Sequence, residues 1–315
     1  MSQTSEKTKE HFSFGFSEET LGYLYALAGT VLFSSKGVLV KLVYKFGIDS
    51  VTVLALRMIF AIPFFAFVLY QETSKHSDKP ISQKDYGIVV LLAFIGYYMA
   101  SFFDFWGLEY LSASMERLVL FTFPALVLLL GFVFLKKKVH KIEIYSVALT
   151  YSGILLAFLP DAEAQGKSAW IGATLVFLSA LAYAVYLIGS GQMIPKLGSR
   201  KFTALLMIWS GVFVLIHFFF TKNYEILIHQ PWQVYGYGFA LGFLTTVVPA
   251  FLTTAGIQRI GSNKASIAGS VGPVFTLFLA AILLGEIITW ENVVGTVIVL
   301  SGVFLLGRKK KVLSN

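Results

Sequence analysis

Seven ionisable side chains fall inside or at the ends of strongly apolar runs: Lys36, Lys41, Arg57, Asp104, Glu109, Glu116 and Arg117. In a membrane helix each costs about 2.5–3.5 kcal/mol at mid-depth, so each faces a cavity or a partner. A lysine there can meet a carboxylate, and a buried carboxyl can take up and release a proton. At 1.5 Å per residue, Lys36 lies roughly 22 Å along the first run and Asp104 roughly 27 Å along the third. Arg57 lies roughly 9 Å from the end of the second, and Glu116 and Arg117 begin the fourth. All five therefore share one layer, with Glu109 and Lys41 nearer the surface. Two readings stand. Lys36, Asp104 and Glu116 are candidates to bind a guest, whereas Arg57, Arg117 and Glu109 are candidates for ion pairs that hold helices together.

The later runs carry hydroxyls and amides instead of charge. Tyr183 and Tyr186 share a helix face, being three residues apart. Thr245, Thr246, Thr253 and Thr254 follow on a later run, then Ser266 and Ser270. Tyr183, Tyr186, Thr253 and Ser270 join the binding candidates; helix–helix hydrogen bonding in lipid is the competing role for each. The stretch from Ala265 to Pro273 is rich in small residues, which let backbones approach closely. Gly269 and Gly272 read as packing positions. Pro273 reads as a break, and Pro63, Pro124 and Pro249 as mid-run kinks.

Other chemistry is excluded. There are no cysteines, so thiolate metal sites and cysteine nucleophiles are out. His217 is alone in its run, with no His or Glu at ligand spacing, so no metal is expected. No glycine-rich phosphate loop or Gly-x-Ser-x-Gly element is present, and no cofactor is expected.

The elements that must position these groups are membrane spans. The chain has 315 residues, 57% hydrophobic and 13% charged, far from the roughly 25% charged of soluble domains. Ten runs are long enough to span: Leu21–Leu42, Val51–Tyr70, Tyr86–Leu108, Glu116–Leu135, Ile142–Leu159, Ala169–Ile188, Phe202–Phe220, Val234–Thr254, Ala265–Leu284 and Ile287–Leu306. A polar linker, Pro160 to Ser168, separates two sets of five. Residues 1–20 and 308–315 read as polar tails, with no signal peptide.

Charge placement orients the spans. Lys75, Lys79, Lys84, the Lys136–Lys138 run, Lys141, Lys196, Arg200, Lys201, Arg259, Lys264 and the Arg308–Lys311 run share the side of the N-terminus. Only Lys45, Lys167 and Lys222 fall opposite. The positive-inside rule puts both ends in the cytoplasm and explains the basic charge through anionic lipid, without nucleic acid.

The halves repeat. Shifted by 149 positions, Gly107 falls on Gly256, Pro124 on Pro273, Leu135 on Leu284 and Gly153 on Gly302. Five spans per half is odd, so the second copy enters from the opposite side. Inverted repeats of this kind suit a transporter with a central site.

The repeated segment is similar to the drug/metabolite transporter superfamily, EamA-like family. The likeness rests on Gly-Leu-Glu-Tyr-Leu-Ser-Ala at 107–113 with Pro124. It rests also on Gly-Ile-Gln-Arg-Ile-Gly-Ser at 256–262, Gly272-Pro273-Val274-Phe275, Leu284-Gly285-Glu286 and Leu56-Arg57-Met58. Leu135-Lys136-Lys137 departs from the family's Leu-Gly-Glu, and Lys36 from an uncharged position. The resemblance implies an all-α membrane fold of ten helices in two inverted five-helix repeats, 21–160 and 169–307. It implies a cavity lined by helices 1, 3, 4, 6, 8 and 9, with helices 5 and 10 peripheral and a homodimer contact. The expected function is a secondary transporter, an exporter of a small metabolite such as an amino acid, in a bacterial cytoplasmic membrane, with proton coupling through Asp104 or Glu116. A flippase for a lipid or lipid-linked headgroup on the same scaffold is the alternative, and an enzyme is not expected.

Overall fold

The computed structural model describes residues 17–74, 81–136, 140–269 and 271–312. Among them every regular element is helical. In chain order these are α1 (Glu18–Ser34), α2 (Lys36–Tyr44), α3 (Ser50–Thr73), α4 (Gln83–Ala93), a π-helical segment (Phe94–Met99), α5 (Ala100–Leu108), α6 (Ala113–Leu120), α7 (Phe123–Leu135), α8 (Lys141–Gln165), α9 (Lys167–Leu197), α10 (Ser199–Thr221), α11 (Glu225–Ile228), α12 (Trp232–Phe239), a second π-helical segment (Ala240–Val247), α13 (Val248–Gly269), α14 (Gly272–Leu284) and α15 (Trp290–Val312). Eight spans, some built of two or three such elements, are long and apolar enough to cross a membrane. Two further apolar helices, Gly272–Leu284 and Trp290–Leu305, are shorter.

Starts are set by capping. Ser17, Asp49, Ser82 and Ser112 each accept a hydrogen bond from a backbone N–H in the first turn of α1, α3, α4 and α6, satisfying donors that lipid would leave orphaned. His140 and Glu143 form a reciprocal capping box at α8.

Interiors are interrupted. The first span breaks at Ser35, between α1 and α2. The carbonyl of Ser34 freed there accepts from Thr276 Oγ1 at 2.9 Å, so the break leaves no orphaned acceptor. Another span breaks at Phe121–Thr122, between α6 and α7. In the second π segment, Thr246 donates to the Leu241 carbonyl at 2.8 Å, using an acceptor that the wider turn leaves available.

Local structure repeats as the sequence does. Moved by 149 positions, Phe123–Leu135 falls on Gly272–Leu284, residue for residue. Both helices carry proline in the first turn, and both end on a left-handed residue, Lys136 (φ 50°) and Gly285 (φ 73°). The two π segments overlap under the same shift.

Close helix pairs follow the glycines. A side chain at Gly107 would meet the Gly172 carbonyl of α9 at 3.1 Å. One at Gly256, its counterpart, would meet the Gly22 carbonyl of α1 at 3.0 Å. α8 packs along α15, where Gly153 faces the Gly295 carbonyl and Asn292 donates to the Ala157 carbonyl at 3.1 Å. Ser146 also donates to the Gly302 carbonyl across this pair.

Three expectations are corrected. The stretch from Pro160 to Ser168 is not an extended linker: α8 runs through Pro160 to Gln165, and only Gly166 separates it from α9. Ala265 does not begin a span, because α13 is continuous to Gly269. Pro124 and Pro273 sit in the first turns of α7 and α14, where the missing N–H costs nothing, so they follow the breaks and do not interrupt a helix.

Candidate functional site

The break at Ser35 places Lys36 at the start of α2, almost wholly buried. Its ammonium pairs with the Asp104 carboxylate from α5 and lies 3.4 Å from Glu116 Oε1 on α6. Glu116 faces Gly37, where an added methyl would come within 2.8 Å of its Oε2. The carboxylate thus sits at the positive N-terminal end of α2. Three groups distant in sequence become one ion cluster.

The arginines do not join it through carboxylates. Arg57 donates from Nε to Thr246 at 2.8 Å and from Nη1 to Ser101 at 3.3 Å. Arg117 donates to Ser34 Oγ at 3.1 Å. Glu109 accepts from the Ser50 backbone at 2.9 Å. Among the described residues, the ion pairing expected of Arg57, Arg117 and Glu109 is made by Lys36 instead. A hydroxyl or amide partner carries no charge for a sequence pattern to reveal.

Aromatic rings link the three cations. Lys36 and Arg57 both lie over Phe105, at 5.9 and 5.4 Å from its centroid. Lys36 and Arg117 both lie over Phe33, at 5.4 and 5.0 Å. From Arg117 the contacts continue to Phe121 (6.0 Å), Phe123 (5.7 Å), Tyr183 (5.2 Å), Tyr186 (5.5 Å) and Tyr97 (6.0 Å). Tyr97 returns to Arg57 at 6.0 Å. Ten side chains from α1, α2, α3, the first π segment, α5, α6, α7, α9 and the α6–α7 break close into a circuit. Each cation there gains from the negative face of a ring.

The circuit is buried but not saturated. Asp104 Oδ1, Glu116 Oε1 and Arg117 Nε have no hydrogen-bond partner among the described residues. Glu116 Oε1 therefore contacts Lys36 through charge alone. Neither the Tyr183 nor the Tyr186 hydroxyl has a partner among those residues. Phe33, Tyr97, Phe123, Tyr183 and Tyr186 keep part of their surface accessible. By formal charge, Lys36, Arg57 and Arg117 against Asp104 and Glu116 leave one positive charge in excess. The arrangement is suited to hold an anionic group beside the cations while an apolar body lies on the rings.

Of the remaining sequence candidates, Thr253 packs against Gly29 of α1, where an added methyl would reach its Oγ1 at 2.7 Å. Gly272 is covered by Arg117 and Ser34, so it makes room for the guanidinium. Gly269 ends α13. Ser270 lies outside the described residues. Sequence reasoning missed Phe33, Tyr97, Phe105, Phe121 and Phe123. Phe33 is three residues before Lys36 and Phe121 four after Arg117, and an aromatic one turn from a buried cation was the available signal.

The EamA-like transporter family matches residues 20–159 and 170–308. An uncharacterized transporter of Bacillus subtilis (strain 168), YcbK, is 28% identical over 285 residues, covering 88% of this chain and 90% of its own. An uncharacterized transporter of Synechocystis, sll1319, is 21% identical over 92% of this chain and 94% of its own. A crystal structure at 13% identity covers 91% of this chain and 97% of its own with a TM-score of 0.62, a likeness of fold. These matches and the apolar helices make the chain a multi-pass membrane transporter and not an enzyme.

Proposed function

This chain belongs to the EamA-like transporter family, and from that premise we propose a secondary transporter that exports a small metabolite, such as an amino acid, by alternating access. Ten helices would form two inverted repeats, 21–160 and 169–307, with both polar ends, 1–20 and 308–315, in the cytoplasm of a bacterium. The charge asymmetry of the loops supports that orientation, and the recurrence of α7 in α14 supports two structurally related halves.

The observation that carries the reading is the closed circuit of three cations and seven rings around the Lys36–Asp104–Glu116 cluster. An amino acid would place its carboxylate toward Arg117 and Lys36 and its ammonium toward the unpartnered oxygens of Asp104 and Glu116. Its side chain would lie against Tyr183 and Tyr186. Glu116 and Asp104 compete for one lysine, so one of them is the proposed carrier of a coupled proton. Membrane lipid would surround the bundle. A homodimer would use the outer faces of α8 and α15, where Tyr145, Leu155 and Val297 are exposed.

Flux of labelled amino acids in proteoliposomes, with and without an imposed pH gradient, tests this. The expected result is gradient-driven flux that falls at least about tenfold in Lys36→Met, on loss of a charged hydrogen bond to the guest. It should lose its pH dependence in Glu116→Gln. Equal flux with and without the gradient would discard coupling. Full flux in Lys36→Met would discard the site.

A further inference from the structure

Two stretches of the chain are π-helical, Phe94–Met99 and Ala240–Val247, and one buried side chain touches both. Such turns loosen the regular ladder of a helix and gather at functional positions. Tyr97 in the first segment and Thr246 in the second are the same position of the repeat, 149 residues apart. Arg57 meets them both. Its guanidinium lies 6.0 Å from the Tyr97 ring centroid, and its Nε donates to Thr246 Oγ1 at 2.8 Å.

Each side of this bridge is reinforced. Tyr97, Ser101 and Phe105 are spaced by four residues, so they share one face where the first π segment runs into α5. All three reach Arg57: Ser101 Oγ accepts from Nη1 at 3.3 Å, and the Phe105 centroid lies 5.4 Å away. On the other side, the second π segment holds the backbone of the arginine as well. An added methyl at Gly242 would come within 2.7 Å of the Arg57 carbonyl. The Thr246 hydroxyl is itself aimed, because its proton goes to the Leu241 carbonyl and its lone pairs are left for Nε.

The bridge is built once. Under the same shift Leu56-Arg57-Met58 falls on Leu205-Leu206-Met207, and Leu206 is buried like its counterpart. Leucine therefore suffices for packing at this position in the second half. An arginine inside a membrane bundle is costly, and Arg57 makes no ion pair among the described residues. What it adds over leucine is a planar fork of donors and a face that stacks on rings, which together can hold two elements at once.

We propose that Arg57 is a positioning residue that couples the two π segments and sets the ring surface beside the ion cluster. Tyr97 lies 6.0 Å from Tyr186, and Gly96 packs directly on Tyr186, with no room for a side chain. A displacement of the second π segment thus reaches Tyr186 through Thr246, Arg57 and Tyr97. That these rings meet a transported guest rests on the function proposed above; the coupling itself does not.

Hydrogen exchange of the purified full-length protein, followed by mass spectrometry, tests it. Thr246→Val removes the acceptor and leaves the arginine in place. Exchange in the first segment, Phe94–Met99, should then rise at least about fivefold, the lower end of an ordinary coupling between sites. Thr246→Ser keeps the hydroxyl and should hold that segment at the wild-type rate. The α8–α15 pair, outside these contacts, should stay within about twofold. In Arg57→Met both π segments should loosen, and adding Thr246→Val should leave the first segment where Arg57→Met put it. The proposal is overturned by an unmoved first segment in Thr246→Val, by an equal rise in Thr246→Ser, by a rise that extends to α8 and α15, or by a Thr246→Val effect that survives in Arg57→Met. The two Thr246 variants decide alone if Arg57→Met does not fold. Failure of the transport reading would appear separately, as wild-type liposomes without flux while the exchange pattern holds.

Discussion

The first span and its counterpart, α9, were cut from one pattern and now differ at their centres. Shifting by 150 positions sets Lys36 over Tyr186. The first span is broken at Ser35 and buries a lysine beside the break; α9 runs unbroken from Lys167 to Leu197 and presents a phenol. Asp104, the lysine's partner, corresponds to Thr253 at the 149 shift. One half contributes an ion cluster at a discontinuous helix, and the other a ring surface on an unbroken one. The two family matches share a frame, and differences at a few central positions give each half its own part of the candidate site. An ion cluster needs both partners to change together, and a break helps because it turns a helix N-terminus toward the carboxylates.

The sharpest way to break this comparison is to make the centres alike. Lys36→Ala leaves Asp104 and Glu116 buried together without their cation, and should lower unfolding free energy by about 3–5 kcal/mol. Thermal unfolding in detergent reads this. Tyr186→Phe removes a hydroxyl without a described partner and should change stability by about 0.5 kcal/mol or less. Equal losses would mean that the ion cluster is not the distinguishing feature. Adding Asp104→Asn and Glu116→Gln to Lys36→Ala should recover most of the loss.

The paired glycines test what the halves still share. Gly107→Ala and Gly256→Ala should each destabilise by about 1–3 kcal/mol through overpacking. Gly256 should cost more: its new methyl meets Ala26 N at 2.9 Å and the Gly22 carbonyl, whereas that of Gly107 first meets the movable Val176 side chain. The reverse order in melting temperature would deny the equivalence of the α1–α13 and α5–α9 contacts.

Smaller effects attach to the helix ends. Lys136 holds the left-handed conformation that Gly285 holds in the other half. Lys136→Gly should stabilise by about 0.5–1 kcal/mol, and Gly285→Lys should destabilise by about 1–2 kcal/mol. Denaturation of the two variants side by side would show whether the strain is real. The smallest effect joins the halves at Asp49 and Lys222, 3.2 Å apart. Partial burial pushes the Asp49 carboxyl up, but bonds from Thr52 and Lys222 outweigh it and hold the group below its usual range. Its contribution is therefore present above the unfolded carboxylate's pKa and lost as pH falls through the lower folded value. Asp49→Asn should flatten that acid limb by slightly lowering stability at neutral pH, where the ionised carboxylate contributes, and leave stability below the folded value nearly unchanged.

Much of this was legible in the residues. Apolar runs gave the spans, and depth along them put Lys36, Asp104 and Glu116 in one layer, where the structure joins them. The repeat predicted the match of α7 and α14. The break at Ser35 was not legible, because no proline marks it; it is held by Thr276 from a helix more than two hundred residues away. The π segments left no mark either, since Phe94–Met99 and Ala240–Val247 keep ordinary helical compositions. Arg57 and Arg117 were assigned carboxylates because hydropathy shows charges plainly and hydroxyl partners poorly.

The cap on α6 has a consequence for how the protein is made. The carboxylate that closes the first turn of α6 is Glu286, 173 residues downstream of Ala113. At about 5–20 residues per second, synthesis reaches it roughly 10–35 s after α6 has emerged. For that interval Ser112, which accepts from the Met115 N–H, caps the turn, joined after roughly 2–10 s by Asp161, to which Ser112 donates. The cap on the start of α6, one turn before Glu116, is completed only when the end of α14 arrives. The first half thus depends on the last part of the chain for one of its helix caps.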